Sequence, residues 1–311
     1  MFHAEMNRKV WREHMDTKIL LENGTNELEI LEFSVAGCSY GINVAKIKEL
    51  IKYCEPTVIP NSHPSIEGVI MPRDKMITTI DLRNCMLKGQ SEPTGLFVIT
   101  NFSKLDIAFH IDEVLGIHRI TWEDITRPSV AGSVDDSSLA SGIVKINDKL
   151  IVILDFEKIV TDISPETGLK VSEIDALGPR ERSNVPLMVV EDSPLLNKLI
   201  VDALTRAGYE RIIHTSNGQE AYDIIMGYCE NGSLQDNLKC IITDIEMPQM
   251  DGHRLTHLLK NDDKTKDIPI VIFSSLVNEE MRKKGESLGA DAQLSKPEIA
   301  NLVQIIDELV K

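Results

Sequence analysis

Paired cysteines are missing from this sequence. Its five, Cys38, Cys54, Cys85, Cys229 and Cys240, are scattered without the close spacing of a metal site, and no signal peptide precedes them. A reducing cytoplasm is therefore the expected compartment. No apolar run approaches the roughly 20 residues needed to span a bilayer, so direct membrane insertion is not expected and membrane association would go through a partner. Positive charge is also short. The 33 Lys and Arg against 49 Asp and Glu leave a formal charge of -16, which argues against nucleic acid as a partner, since phosphate binding needs a basic face. Between Glu27 and Val160 there is no nucleophile–base pair, no metal cluster and no phosphate-cradling glycine loop. The dispersed His63, His110 and His118 read as surface or core residues, and that half as a binding module.

The 311 residues are long for one domain, and 42% hydrophobic content can supply two cores. Residues 1–26 read as an N-terminal leader, either a short helix over Met1 to Leu21 or a disordered segment. From 27 to 160 the pattern is short alternating or apolar runs punctuated by Gly, Pro, Asn and Asp (LEILEFSV, YGINV, GLFVIT, DIAFHI), which predicts an all-β barrel or sandwich. Residues 161–184 are polar and charged and carry two prolines, as a linker does. From 185 to 311 the period changes and strand alternates with helix. Ser193 is the expected N-cap of the first helix, with Pro194 at its first position and Leu195, Leu196, Leu199, Ile200, Ala203 and Leu204 on one face. The first half also contains an internal echo. GVIMPRDKMITTIDL from Gly68 aligns without gaps to GIVKINDKLIVILDF from Gly142, with Asp74-Lys75 and Asp148-Lys149 as hairpin turns.

In the second half, CIITDIEMPQMDG places Asp244 at the end of an apolar run. LMVVEDS does the same for Glu191 and Asp192, IPIVIFSS for Ser274, and AQLSKP for Lys296. In a parallel doubly wound sheet these strand ends converge on one crevice. Three carboxylates packed together repel unless a hard divalent cation holds them ionised, and Mg2+ fits. An ionised Asp244 can attack phosphorus to give an acyl phosphate, with the metal, Ser274 and Lys296 sharing the phosphoryl oxygens.

On these motifs residues 185–311 resemble a response-regulator receiver domain, a CheY-like doubly wound parallel sheet of five strands. The resemblance implies phosphorylation of Asp244 by a phosphohistidine donor. It also implies Mg2+ held by Glu191, Asp192, Asp244 and the backbone carbonyl near Glu246, and a shift of Ser274 on phosphorylation. Two departures stand out. Gln293 takes the place of an aromatic switch partner, so that the conformational readout is weaker or runs by another route. Glu246 brings a carboxylate able to compete for metal or orient a water.

Residues 27–160 resemble the CheW-like coupling module, two SH3-like β sub-barrels. The resemblance rests on LEFSVAGCSYGINVAKIKELI, PNSHPSIEGVIMPRDKMITTIDLR, FHIDEVLGIHRI and GIVKINDKLIVILDF. It implies a partner surface that includes Glu49 and Arg73, although Asp74 replaces the usual glycine and Thr78 a proline. The order of the two modules is that of the CheV family of chemotaxis coupling proteins. Nothing comes after IANLVQIIDELVK, so the output is expected in the first half. The resemblance implies a cytoplasmic scaffold recruited to membrane receptor arrays, joining a methyl-accepting chemoreceptor tip to a CheA-type histidine kinase under control of Asp244 phosphorylation. The expected chemistry is limited to self-phosphorylation and self-dephosphorylation. A phosphate sink draining the kinase is the alternative. A haloacid-dehalogenase-type hydrolase ranks lower, because it needs an Asp where Glu246 stands.

Overall fold

The computed structural model describes residues 26–87, 89, 91–102, 105–126, 139–164, 171–178, 180–276 and 279–311. The leader expected over 1–26 lies, except for Asn26, outside the described residues.

The first half contains strands β1 (Glu27–Val35), β2 (Cys38–Asn43), β3 (Ile47–Lys52), β4 (Ile66–Ile70), β5 (Ile77–Asp81), β6 (Leu96–Phe102), β7 (Leu105–Ile111), β8 (Glu113–Thr121), β9 (Ala140–Ile146) and β10 (Lys149–Leu154). Helices α1 (Leu82–Leu87) and α2 (Phe156–Ile163) follow β5 and β10. The strands form two sheets, in the orders β8-β1-β2-β10-β9 and β3-β6-β7-β5-β4. Hairpin β1–β2 in one sheet corresponds to β6–β7 in the other, and parallel pair β2–β10 to β7–β5. Antiparallel pairs β9–β10 and β8–β1 likewise match β4–β5 and β3–β6. The two sheets share one topology, circularly permuted. The echo from Gly68 and Gly142 occupies equivalent strand–turn–strand–helix units in them. Asp81 and Asp155 are equivalent too, each accepting a backbone N–H three residues on at the start of its helix.

The hairpin tips sit one residue earlier than Asp-Lys. Asn147 and Asp148, at φ +48° and +63°, make a two-residue turn closed by the Ile146–Lys149 pair. In the first copy proline occupies the position equivalent to Ile146 and has no N–H to pair. That loop therefore runs from Met71 to Met76, with Arg73 and Asp74 at φ +52° and +62°.

A common core lies between the sheets. Leu31, Phe33, Val35 and Ile42 from one meet Ile80, Val98, Phe109 and Ile111 from the other, with Phe156 and Ile159 of α2 wedged among them. Phe156 meets Phe109 edge-on at 4.7 Å, which fixes the start of α2. Nearby, the buried His110 places Nδ1 2.7 Å from a Glu67 carboxylate oxygen and Nε2 2.6 Å from the Thr94 carbonyl. A carboxylate and a carbonyl both accept, so the site favours the imidazolium, which can donate to both; the ring is stacked on Tyr53 and tilted over Phe97.

The second half is a parallel sheet of β11 (Ser183–Val190), β12 (Tyr209–Thr215), β13 (Cys240–Thr243), β14 (Ile270–Ser274) and β15 (Ala292–Ser295), in the order β12-β11-β13-β14-β15. Helices α3 (Pro194–Arg206), α4 (Gly218–Glu230), α5 (Leu234–Asn237), α6 (Gly252–Lys260), α7 (Glu279–Ser287) and α8 (Ile299–Leu309) surround it. Ile200, Ala203 and Leu204 of α3 join Leu302, Val303 and Ile306 of α8 on one face of the sheet, while α4 and α6 bury Ile225, Leu255 and Leu259 on the other. Ser193 caps α3 by accepting the Leu196 N–H, with Pro194 at the first position. Leu195, expected on the buried face, is 41% exposed, because it points outward in the first turn. Part of the linker belongs to this half: Val171–Leu177 forms a 3-10 segment whose Ile174 enters the α3/α8 core.

One glycine controls how closely α6 approaches the sheet. A Cβ at Gly252 would lie 1.9 Å from the Asp244 carbonyl oxygen and 2.9 Å from Thr243 Oγ1. Backbone, not a flexible side chain, blocks it. Gly252→Ala is therefore expected to destabilise the second half by about 1–3 kcal/mol in urea unfolding, as overpacked sites do.

His110 makes the stability of the first half depend on pH. Burial alone would lower its pKa, but the hydrogen bonds to Glu67 and the Thr94 carbonyl outweigh burial and raise it. The folded value exceeds the unfolded value of about 6.5, so the stabilisation is complete below that pH and is lost as pH rises through the raised value. The melting temperature of the native chain's first transition should fall across that range. His110→Gln, which cannot be charged, should flatten this dependence.

Candidate functional site

The parallel register brings the ends of four strands together. Val190 pairs with Thr243, Thr243 with Ile272, and Ser274 with Ser295. The next residues after β11, β13 and β15 are Glu191, Asp244 and Lys296, while Ser274 ends β14. All four are at most 6% exposed, although each carries a polar group. Polar groups buried this deeply need partners within the site.

Asp244 is held from both sides. Its Oδ1 accepts the Ile245 N–H at 2.6 Å, and its Oδ2 accepts from Lys296 Nζ at 2.7 Å. Lys296 Nζ also lies 3.0 Å from Glu191 Oε2. Burial by itself would lower the Lys296 ammonium's pKa, but Asp244, Glu191 and Glu157 hold it well above its ordinary value. Burial pushes the Glu191 carboxyl up to about 8 against the pull of Lys296, with Asp244 and Asp192 pushing the same way. One ammonium thus serves more carboxyl groups than its single charge can offset.

The donor set fits a hard cation. Ligand oxygens of Glu191, Asp192 and Asp244 lie within 4.8 Å of one another. Glu191 Oε1 accepts the Ser193 N–H, and its buried Oε2 faces the Lys296 ammonium at 3.0 Å. An all-oxygen group of three carboxyls gathered around a single ammonium suits Mg2+. Ser274 Oγ accepts the Leu276 N–H at 3.2 Å. Gln293 has folded onto α7, donating to the Arg282 carbonyl at 2.6 Å, with its amide filling the space above Gly285.

The carboxylate of Glu246 does not serve this group. It accepts from Asn43 Nδ2 at 2.8 Å and pairs with Lys46 Nζ at 2.6 Å, both from the first half. Lys46 also pairs with Glu157 at 3.1 Å. Glu157, in the first turn of α2, accepts from the Ser275 hydroxyl of the second half. Burial opposes its ionisation, but Lys46, Lys296 and Ser275 bring its carboxyl down to about 2. Further along the same loop, the Gln249 carbonyl accepts from Asn26 Nδ2 at 2.6 Å, and the Gln249 N–H approaches the Trp122 carbonyl at 3.4 Å. Sequence reasoning misses Asn43, Lys46, Glu157 and Ser275. Their local signals, a lysine in NVAKIKEL and a glutamate in DFEKIV, match those of solvated surface charges.

Glu49 and Arg73 lie away from this centre and meet each other, with Arg73 Nη2 2.8 Å from Glu49 Oε2. Arg73 remains 83% exposed on its loop. Met71 and Met76 flank it, 64% and 75% exposed. Among the described residues, no helix is long and apolar enough to cross a membrane.

Comparison with known proteins gives the two halves names. The CheW-like domain matches residues 29–164, and the response regulator receiver domain matches residues 187–307. Chemotaxis protein CheV3 of Helicobacter pylori is 27% identical over 301 residues, covering 92% of this chain and 95% of that protein. Chemotaxis protein CheV1 of the same organism is 26% identical over 307 residues, covering 92% and 94%. Chemotaxis protein CheW of Thermotoga maritima is 26% identical over 150 residues, covering 48% of this chain and 98% of its own length. With a CheW-like β domain of two sheets leading into a receiver domain, and with similarity to CheV proteins running across both, the chain belongs to the CheV family of chemotaxis proteins.

Proposed function

We propose that this protein is a cytoplasmic chemotaxis scaffold whose coupling domain, residues 27–160, bridges a methyl-accepting chemoreceptor tip and a CheA-type histidine kinase. The receiver domain, residues 185–311, joined through 161–184, adjusts that coupling by phosphorylation of Asp244. The observation that carries the reading is Asp244 itself, a buried carboxylate between the Glu191–Asp192 pair and Lys296 at the carboxyl end of a central parallel strand.

The chemistry derives from the residues around it. An Asp244 oxygen attacks phosphorus, the bond from phosphorus to the donor's imidazole nitrogen or acetate oxygen breaks, and the leaving group carries away the electron pair. The Ile245 N–H fixes the plane of the attacking carboxylate. Lys296 Nζ, 2.7 Å from Asp244 Oδ2, remains an ammonium and redirects its hydrogen bond to the phosphoryl oxygens as they arrive. Ser274, released from the Leu276 N–H, donates to another. Glu191, Asp192, Asp244 and the backbone carbonyl of Glu246 would hold Mg2+. Bound there, it supplies the positive charge that offsets the incoming phosphate and the acidic pair. In the unphosphorylated chain the Glu246 carboxylate is turned away from Asp244 to Asn43 and Lys46 of the coupling domain. A receiver whose phosphorylation loop is bonded to the coupling domain favours the scaffold reading over a phosphate sink that is merely tethered nearby.

The partner surface centres on the Met71–Met76 loop. An exposed arginine between two exposed methionines offers charge and adaptable apolar area together. Arg73 is pre-oriented by Glu49.

Incubation with Mg2+ and acetyl phosphate should add one phosphoryl mass to the native chain and none to Asp244→Asn by intact mass spectrometry. Adducts on both chains would place the acceptor elsewhere. Separately, Arg73→Ala should leave the melting temperature nearly unchanged, because an exposed ion pair contributes about 0–1 kcal/mol. The same change should weaken binding to the receptor–kinase pair by about tenfold or more, in the range of an interface anchor. Unchanged affinity would remove Arg73 from the surface.

A further inference from the structure

The contact between the two domains falls on the receiver face that carries Asp244. Three features of that face meet the coupling domain. Glu246 meets Asn43 and Lys46, Gln249 meets Asn26 and Trp122, and Ser275, the residue after the Ser274 hydroxyl, meets Glu157. Between them, Ile245, Ile272, Leu276 and Met281 form an apolar cluster against which Ala45 of the coupling domain packs. The centre of the contact is an ion group with Lys46 Nζ between Glu246 and Glu157, its side chain 12% exposed and theirs 15% and 21%.

We infer that this contact is an intramolecular latch, in which Lys46 clamps the receiver's phosphorylation face to the coupling domain through Glu157 and Glu246, and that phosphorylation of Asp244 opens it. The inference rests on the reading of Asp244 as phosphoacceptor.

The charges give the direction. In the unphosphorylated chain, Glu157 is offset by Lys46, by the Ser275 hydroxyl and by the nearby Lys296. A phosphoryl group on Asp244 brings added negative charge to the side of Glu246 and Glu157, and draws Lys296 onto its own oxygens. Ser274 Oγ, now the acceptor for the Leu276 N–H, turns to donate to the phosphoryl group. Leu276 is the residue that packs in the cluster with Ala45, and Ser275 lies between Ser274 and Leu276 in sequence. Moving this segment removes the Ser275 bond from Glu157 at the step that also withdraws Lys296. Glu157 and Glu246 are then left facing each other across a single ammonium in a poorly hydrated contact, and separation into water relieves both.

The latch also reaches the proposed partner surface. Lys46 ends the 3-10 turn Val44–Lys46, which leads directly into β3. That strand is at the edge of its sheet and carries Glu49, the partner of Arg73. Release of the turn frees the start of the edge strand. No aromatic at position 293 is needed for this route, because the signal leaves through Ser275 and Leu276.

Small-angle X-ray scattering on the full chain with Mg2+ tests the latch, with intact mass read on each sample. Native protein should be compact without a donor and should expand when acetyl phosphate produces an adduct. Lys46→Glu should be expanded without any donor. By reciprocity it should also accept phosphoryl more favourably, with a coupling of about 5- to 150-fold between opening and phosphorylation. Lys46→Glu combined with Glu246→Lys restores one ammonium between two carboxylates and should be compact again, which separates a broken latch from a damaged fold. A native chain that carries the adduct yet stays compact would overturn the inference, as would a Lys46→Glu chain as compact as the native one. Absence of an adduct on native protein would count against the phosphoacceptor reading, while the Lys46 variants would still decide whether the latch exists.

Discussion

Lys296 is the charge on which the receiver's centre depends. Its ammonium stands between Asp244 and Glu191 with almost no access to water, and it is the cation that offsets the cost of burying two carboxyl groups side by side. The surrounding structure keeps these three groups in place. Parallel pairing aligns the ends of β11, β13, β14 and β15, the Ile245 N–H holds one oxygen of Asp244, and the Ser193 N–H holds one of Glu191. Gly252 lets α6 pack against the backbone of Asp244 itself. An acid-rich strand end with one buried lysine is imbalanced by construction. That imbalance suits a divalent cation, and on the proposed reading it gives a phosphoryl group a place to bind.

A second ionic layer lies outward from the first. Lys46 plays toward Glu157 and Glu246 the part that Lys296 plays toward Asp244 and Glu191, and the two layers are electrostatically joined through Glu157. The outer layer is assembled from both domains, so its stability is a property of their contact rather than of either fold. Glu157 reaches it because Phe156 is locked between Phe33 and Phe109 in the coupling core, which fixes the first turn of α2. Core packing in one domain thereby positions a charge beside the active face of the other.

The inner layer is legible in the sequence, and the outer one is not. Strand-end residues in a parallel sheet are found by counting along apolar runs, since each run ends at the same edge. VVEDS, TDIEMP, FSS and LSKP therefore predict a convergence without any knowledge of loop paths. Lys46 and Glu157 are 111 residues apart and meet Glu246 only through the relative placement of two domains, a property with no local periodicity. Glu246 stands out in the sequence for its carboxylate, but nearness to Asp244 along the chain suggests a role at the metal, whereas its side chain turns the other way to Asn43 and Lys46. The β half shows the same division. The Gly68 and Gly142 segments announce a repeated unit, and their turns are legible to within a residue. The permuted order of the sheets, in which β8 to β10 return to complete what β1 and β2 began, depends on pairings between distant strands.

Gln293 shows why the outer layer matters to the inner one. A side chain that bonds to the Arg282 carbonyl and fills the space above Gly285 is committed to α7 and is a poor carrier of motion from the site. Ser275 and Leu276 are better placed, since one touches Glu157 and the other packs near Ala45 while both are close to the Ser274 hydroxyl. A receiver that acts on a distant partner needs its switch to reach an outer surface. One whose target is already seated on its active face needs only to disturb the contact, and two residues beyond the switch hydroxyl are enough for that.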